Sequence, residues 1–419
     1  MLAVATLLGI AWNMLSARIL GPIDMGKLAI VMLYPLFFFT IGHLTFNIGT
    51  IYRVGQYPLG ELAANALFVA LSMGILLYIV FAVTLPLFQN TLYKGVEPKY
   101  LYVAFIVVPC YLIVYLLASV LQGSGRFKEY NIVNLIRCVS AILCLTLFII
   151  VLKFGLLGAV VAFTASYFIS AIVAVVYVLK LVKGTLLLNL GLLGSTLKDG
   201  GTIHIASIAT FIYSQVGLII ANYYLTSGDV GFLFVALVCV QFLFLIPQAT
   251  QTVLYSEVAK STDKGAEITT AMVCRHTFFW VLVGAVVVAL LSSFIVRIFG
   301  SAYMPAVNLL LILLPGAILV TVAQIMSALW IKKRWFWFMV GSGVFICIIG
   351  LLAQLILIPR YSLLGSVLAT DLTYLAGFLV VVGVYYFYVN RNVWELFIPQ
   401  QNDFAIYKNM FVQIREVIH

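Results

Sequence analysis

Apolar runs of about 20 residues follow one another through this chain, and no other feature restricts its fold so severely. A run of that length crosses the hydrocarbon of a bilayer as a helix rising about 1.5 Å per residue. Inside the hydrocarbon each backbone polar group must be satisfied within the chain, so such runs fold as helices. A membrane β-barrel would instead show alternating segments of about ten residues, and that pattern is absent. The runs cover 2–20, 27–50, 63–90, 100–122, 131–152, 156–181, 202–225, 230–256, 270–299, 305–330, 335–358 and 362–389. The fold class predicted is an all-α polytopic membrane protein with about twelve transmembrane helices. Composition agrees: 64% of the residues are apolar and 9% charged, against roughly 25% charged in soluble domains.

The net charge of +10 arises because acids are scarce, with 13 Asp and Glu against 23 Lys and Arg. It reads as the loop bias of a membrane protein, not as a nucleic-acid footprint, and no nucleic-acid partner is expected. Turns after odd-numbered runs carry seven Lys or Arg, and turns after even-numbered runs together with the tail carry fifteen. That asymmetry places the even turns and both termini in the cytoplasm. The chain opens on an apolar stretch without a basic region before it, which reads as a first span and not as a cleaved signal. Residues 391–419 are polar, but Phe404, Tyr407, Phe411, Ile414 and Ile418 recur at helical spacing, predicting an amphipathic helix on the membrane surface. The six cysteines lie in or beside apolar runs with no CxxC spacing, so no metal site or disulfide framework is read. No phosphate-binding loop, HExxH or nucleophile elbow occurs, so no cofactor and no ATP hydrolysis are expected.

An internal repeat organises the runs. FGLLGAVVA (154–162) recurs as YSLLGSVLA (361–369), an offset of 207. Leu20, Asp24, Gly26 and Leu28 recur 205 positions on as Leu225, Asp229, Gly231 and Leu233, and Pro109 recurs as Pro315. Six helices per repeat is an even number, so both halves insert the same way round. The expectation is two six-helix bundles, 1–190 and 191–390, related by a pseudo-twofold along the membrane normal, with 391–419 a cytoplasmic tail. Two facing bundles around a central cavity suit transport by alternating access.

Three segments carry a family resemblance. ARILGPIDMGKLAI (17–30), LQGSGRFKEYNIVNLIR (121–137) and FGSAYMPAVNLLLILLPG (299–316) together resemble the Wzx-type oligosaccharide flippases of the multidrug/oligosaccharidyl-lipid/polysaccharide exporter superfamily. The resemblance implies a MATE-like fold in a bacterial or archaeal cytoplasmic membrane. It implies a task as well: flipping a polyprenyl-pyrophosphate-linked oligosaccharide for the synthesis of surface polysaccharide such as O-antigen. The partners it implies are that lipid and the bilayer, with a polysaccharide polymerase and a chain-length regulator. There is a departure: many members carry an acid where this chain reads Gln215-Val216-Gly217, which puts ion coupling at that point in doubt.

Ionisable residues inside apolar runs are costly and mark candidate sites. Arg137, about six residues into the fifth run, either meets a substrate phosphate or snorkels to the interface. Arg18, Arg53 and Arg275 close or open runs and are further candidates for an anionic head group, with anchoring at the interface as the alternative. Asp371 is the acid most clearly inside a run; it reads as an ion-coupling group or as half of a buried ion pair. His43 is a second candidate for coupling, with hydrogen-bonded packing as its alternative, and His204 is similar. Two other functions are open. A MATE-type drug antiporter would show more intramembrane carboxylates, and a membrane-embedded polymerase or ligase would need a large outer loop; neither feature is present.

Overall fold

The structure is a computed structural model that describes residues 2–182 and 184–398; the predicted amphipathic helix beyond Phe404 lies outside them. The elements are α1 (Leu2–Gly42), α2 (Phe46–Arg53), α3 (Leu59–Phe88), α4 (Pro98–Phe105), α5 (Val107–Gly123), α6 (Phe127–Leu145) and α7 (Gly155–Leu181). The second half contains α8 (Leu190–Tyr224), α9 (Ser227–Lys260), α10 (Asp263–Phe299), α11 (Ala306–Lys332) and α12 (Phe336–Tyr388). A π-helical turn, Thr146–Val151, extends α6. There is no strand among the described residues, so the chain is all-α as predicted. Nine helices among the described residues are long and apolar enough to cross a membrane.

That number differs from twelve partly because α1 and α12 each hold two apolar runs. In α1 the break is Gly21 at φ 76°, ψ 174°, a conformation that costs glycine little. Pro22 then opens the next limb, where its missing N–H costs nothing. In α12 the break is Ser362 at φ 53°, ψ −129°. The two limbs of α12 fold back on each other. A Cβ on Gly350 would lie 2.8 Å from Thr373 Oγ1, one on Gly377 would touch Ile346, and the Trp335 and Tyr388 rings sit 5.9 Å apart.

The repeat is visible in these turns. Gly155, which has φ 55°, aligns with Ser362, which has φ 53°. Gly158 and Gly365, three residues further on in each half, press their backbones onto the carbonyls of Phe148 and Leu357 in the preceding helical limb. A side chain at either position would hold the two limbs apart. Pro109 has an equally local effect. Its ring clashes with the carbonyl four residues back, and the helix breaks between Phe105 and Val107.

Within the first half α5 packs between α3 and α7, and within the second α11 packs among α9, α10 and α12. Contact between the halves runs mainly through α1 on α9, with α2 on α8. At its centre is a reciprocal contact. Gly26 lies against the carbonyl of Ser227, while Gly231 lies against the carbonyl of Pro22. The repeat maps Pro22 onto Ser227 and Gly26 onto Gly231, so each contact is the image of the other. Self-complementary contact of this kind is the signature of a twofold axis. Neither glycine could carry even a methyl group without displacing a main chain.

The same end of the bundle is closed by further contacts. Tyr303 Oη donates to the Ala17 carbonyl at 3.1 Å, and Asn222 Nδ2 donates to the carbonyls of Leu92 and Lys94 at 3.1 and 3.2 Å. Asp229 has a local task there. It completes a capping box with Thr226 at the start of α9, while its repeat mate Asp24 pairs with Lys27 at 3.4 Å.

Candidate functional site

The amide and phenol side chains of the first half converge on Arg137. Helix α6 presents Tyr130, Asn134 and Arg137 at spacings of four and three, one stripe of a helix face. That stripe lines two cavities, of about 350 Å³ and about 330 Å³. The first is completed by Asn47 of α2, by Tyr111, Tyr115 and Gln122 of α5, and by Tyr167 of α7. The second is completed by Asn13 of α1 and Gln241 of α9, so it lies where the halves meet. Among the described residues no acid lines either cavity.

Arg137 is held without a carboxylate. Its guanidinium lies 5.2 Å from the centre of the Tyr167 ring, a cation–π distance, and Nη2 is 3.3 Å from Cys138 Sγ. Tyr167 is fixed in turn by stacking on Tyr111 at 4.1 Å. A half-buried guanidinium with aromatic neighbours and neutral amides keeps most of its donors for an incoming anion, and its planar fork suits phosphate.

His43 adjoins this site without lining it. Its ring is 5.4 Å from that of Tyr115, and its Nδ1 accepts the Thr45 amide at 2.9 Å. Thr45 Oγ1 lies 3.2 Å from His204 Nδ1, which ties the turn after α1 to α8. Here the second apolar run is broken, with Leu44 at φ 49° and Thr45 at φ 51°. The break follows directly on Gly42, and the bonds of Thr45 to the two histidines hold it.

The other arginines lie apart. Arg18 is exposed at the closed end, beside Gly300. Arg53 Nη1 donates back to the Gly49 carbonyl at 3.2 Å, where α2 meets Thr196 of α8. Arg275 is 5% exposed and donates to the Glu395 carbonyl at 2.6 Å, tying α10 to the start of the tail. None of the three is among the residues that form the walls of the Arg137 cavities. Asp371 is also remote from them. Its carboxylate rests on the backbone of Gly316, next to Pro315, and Oδ1 is buried with no hydrogen-bond partner among the described residues. Gly217 faces Gln354, which is 5% exposed and whose amide lies where a side chain at 217 would go. Sequence reasoning missed Tyr130 and Asn134, although their spacing from Arg137 was a readable signal. It had no means of finding Asn13, Asn47 or Gln241, which reach the site from other helices.

A two-halved helical membrane bundle, closed at one end and holding polar cavities between its helices, has the architecture of the multidrug/oligosaccharidyl-lipid/polysaccharide exporters. The model of the polysaccharide biosynthesis protein family matches residues 1–253, and the chain belongs to that family. Twenty-seven solved chains are similar in structure. One is the lipid II flippase MurJ in an inward closed conformation, with a TM-score of 0.77 and 14% identity, covering 98% of this chain and 91% of that one. Another is an inward-facing multidrug resistance transporter of the MATE family, with a TM-score of 0.73 and 15% identity over 92% and 96%. A third, a transporter of the same superfamily from Pyrococcus furiosus, gives a TM-score of 0.59 and 16% identity over 90% of each chain. No curated protein matches the sequence. At these identities the solved structures speak to the fold, which those transporters and that flippase share.

Proposed function

We propose that this protein flips a polyprenyl-pyrophosphate-linked oligosaccharide across the cytoplasmic membrane, with Arg137 receiving the pyrophosphate. The observation that carries this reading is the guanidinium on the walls of two polar cavities that no acid lines among the described residues. A charge at that depth costs roughly 2.5–3.5 kcal/mol on insertion scales, a cost an anionic ligand would offset. Family membership supports the link to polysaccharide synthesis. A cationic drug would find no carboxylate in these cavities, which disfavours the antiporter alternative.

In this reading the halves 1–190 and 191–390 rock about the Gly26–Ser227 and Gly231–Pro22 contacts. The sealed end faces outward, as the Lys and Arg bias of the turns implies, and the cavities open to the cytoplasm. Asp371 serves ion coupling, as a carboxylate set between membrane helices against the backbone of Gly316. His43 supports the cavity through Tyr115. Arg18, Arg53 and Arg275 act on substrate only indirectly, through the closed end, the α2–α8 contact and the tail.

Deletion of the gene followed by assay of lipid-linked repeat units tests the function. Accumulation on the inner leaflet with loss of surface polysaccharide is expected; unchanged polysaccharide with altered drug sensitivity overturns it. Arg137→Ala should lower transport roughly ten- to a hundredfold, the worth of hydrogen bonds to a charged group, and Arg137→Lys should lower it less. Full activity of an expressed Ala variant removes Arg137 from the site.

A further inference from the structure

The second half holds a cavity of a different chemistry. It encloses about 570 Å³ between α8, α9, α11 and both limbs of α12, and no charged residue lines it among the described residues. Its polar groups are neutral: Gln248 and Gln251 of α9, Gln324 and Ser327 of α11, and Ser342 and Thr373 of α12. Trp330, Phe338 and Tyr374 supply ring surface beside them.

Two of the amides are incompletely used. Gln251 donates from Nε2 to the Gln324 carbonyl and Ser327 Oγ at 2.8 Å, and its own side-chain oxygen accepts nothing among the described residues. The Gln324 side chain, half-buried on the cavity wall, makes no hydrogen bond among the described residues. An amide left unpaired among membrane-spanning helices is costly unless water or a ligand pairs with it. Gln324 thus offers two donors and an acceptor, while Gln251, whose Nε2 is already engaged, offers its oxygen as an acceptor. A partner that satisfies such groups without a charge, and also covers aromatic rings, is rich in hydroxyls and has an apolar face.

Helix α9 joins this cavity to the first site. Gln241 lines the Arg137 cavity and Gln248 lines the second one, and seven residues place them on one helix face about 10.5 Å apart. Both are exposed in the middle of an apolar helix. From these observations we infer that the cavity of the second half is a subsite for uncharged sugar residues of the cargo. This rests on the flippase reading and divides the labour: Arg137 takes the pyrophosphate and the Gln251–Gln324 cavity takes the glycan.

The test compares two lipids on the purified protein in nanodiscs. One is bare undecaprenyl pyrophosphate; the other is the lipid-linked oligosaccharide that accumulates in cells lacking the gene. Gln324→Leu should weaken binding of the glycan-bearing lipid about tenfold and leave the bare lipid unchanged. Gln251→Leu should do the same, and binding of the bare lipid shows that each variant is folded. Arg137→Ala should weaken both lipids. Equal loss of both lipids in the Gln variants, or loss of neither, overturns the subsite and leaves the flippase reading standing. A wild-type protein that binds neither lipid overturns both.

Discussion

At several helix crossings the backbones meet so closely that only glycine fits between them. Gly26 and Gly9 make the point, since both lie in α1 but only Gly26 meets another main chain; a Cβ on Gly9 would touch nothing within 4 Å. Gly26→Ala should therefore lower the melting temperature in detergent, by an overpacking penalty of about 1–3 kcal/mol. Gly9→Ala should hold or raise it, because alanine is the better helix former by roughly 0.5–1 kcal/mol. Equal melting temperatures for the two variants would overturn the crossing. At this scale the sequence was partly legible. Gly26 and Gly231 stood out through the repeat, and Arg137 through its charge in an apolar run. The Thr45 break was hidden, because the residues that stabilise it, His43 and His204, are 161 positions apart. The partner of Arg275 was hidden for the same reason: Glu395 lies 120 residues away.

Among the elements, turns were easier to read than packing. Pro359 and Arg360 marked the end of an apolar run, and the structure reverses the chain two residues later at Ser362. In a continuous helix Gly350 and Thr373 would stand about 34 Å apart; here a Cβ on Gly350 lies 3.5 Å from Thr373 Cβ. That separation is within disulfide range. In a background without other cysteines, Gly350→Cys with Thr373→Cys should lose both free thiols on mild oxidation, read by maleimide labelling. Two reactive thiols after oxidation would mean that the limbs do not pair. The count of twelve crossings was inferred from runs alone. The pairing of the α12 limbs and the break at Gly21 show why run counting and helix counting disagree. Run length reports what can span a bilayer, and helix length reports where the backbone stays regular.

For the whole molecule, the proposed cycle requires the sealed end to open. Ile23 is exposed in the first turn, and a Cβ on Gly228 in the matching turn of the other half would sit 3.7 Å from its side chain. Ile23→Cys with Gly228→Cys, once oxidised, should stop the release of cargo to the outer leaflet, and a reductant should restore it. Undiminished transport by the cross-linked protein would place the opening elsewhere. The relation between the halves was legible as a numerical offset near 206, but which surfaces meet was not, since an offset says nothing about where the axis passes.

The paired contacts of Gly26 with Ser227 and Gly231 with Pro22 have a historical consequence. In a dimer of identical six-helix chains, these four residues would be two residues counted twice, and one mutation would alter both contacts together. Fusion into one chain removes that constraint. The two copies have used the freedom unequally: the glycine is the same in both halves, while its neighbour is proline in one and serine in the other. The junction thus keeps the geometry that such a homodimer would have at the position where divergence would cost most, while the halves differ, as their two cavities do, away from it.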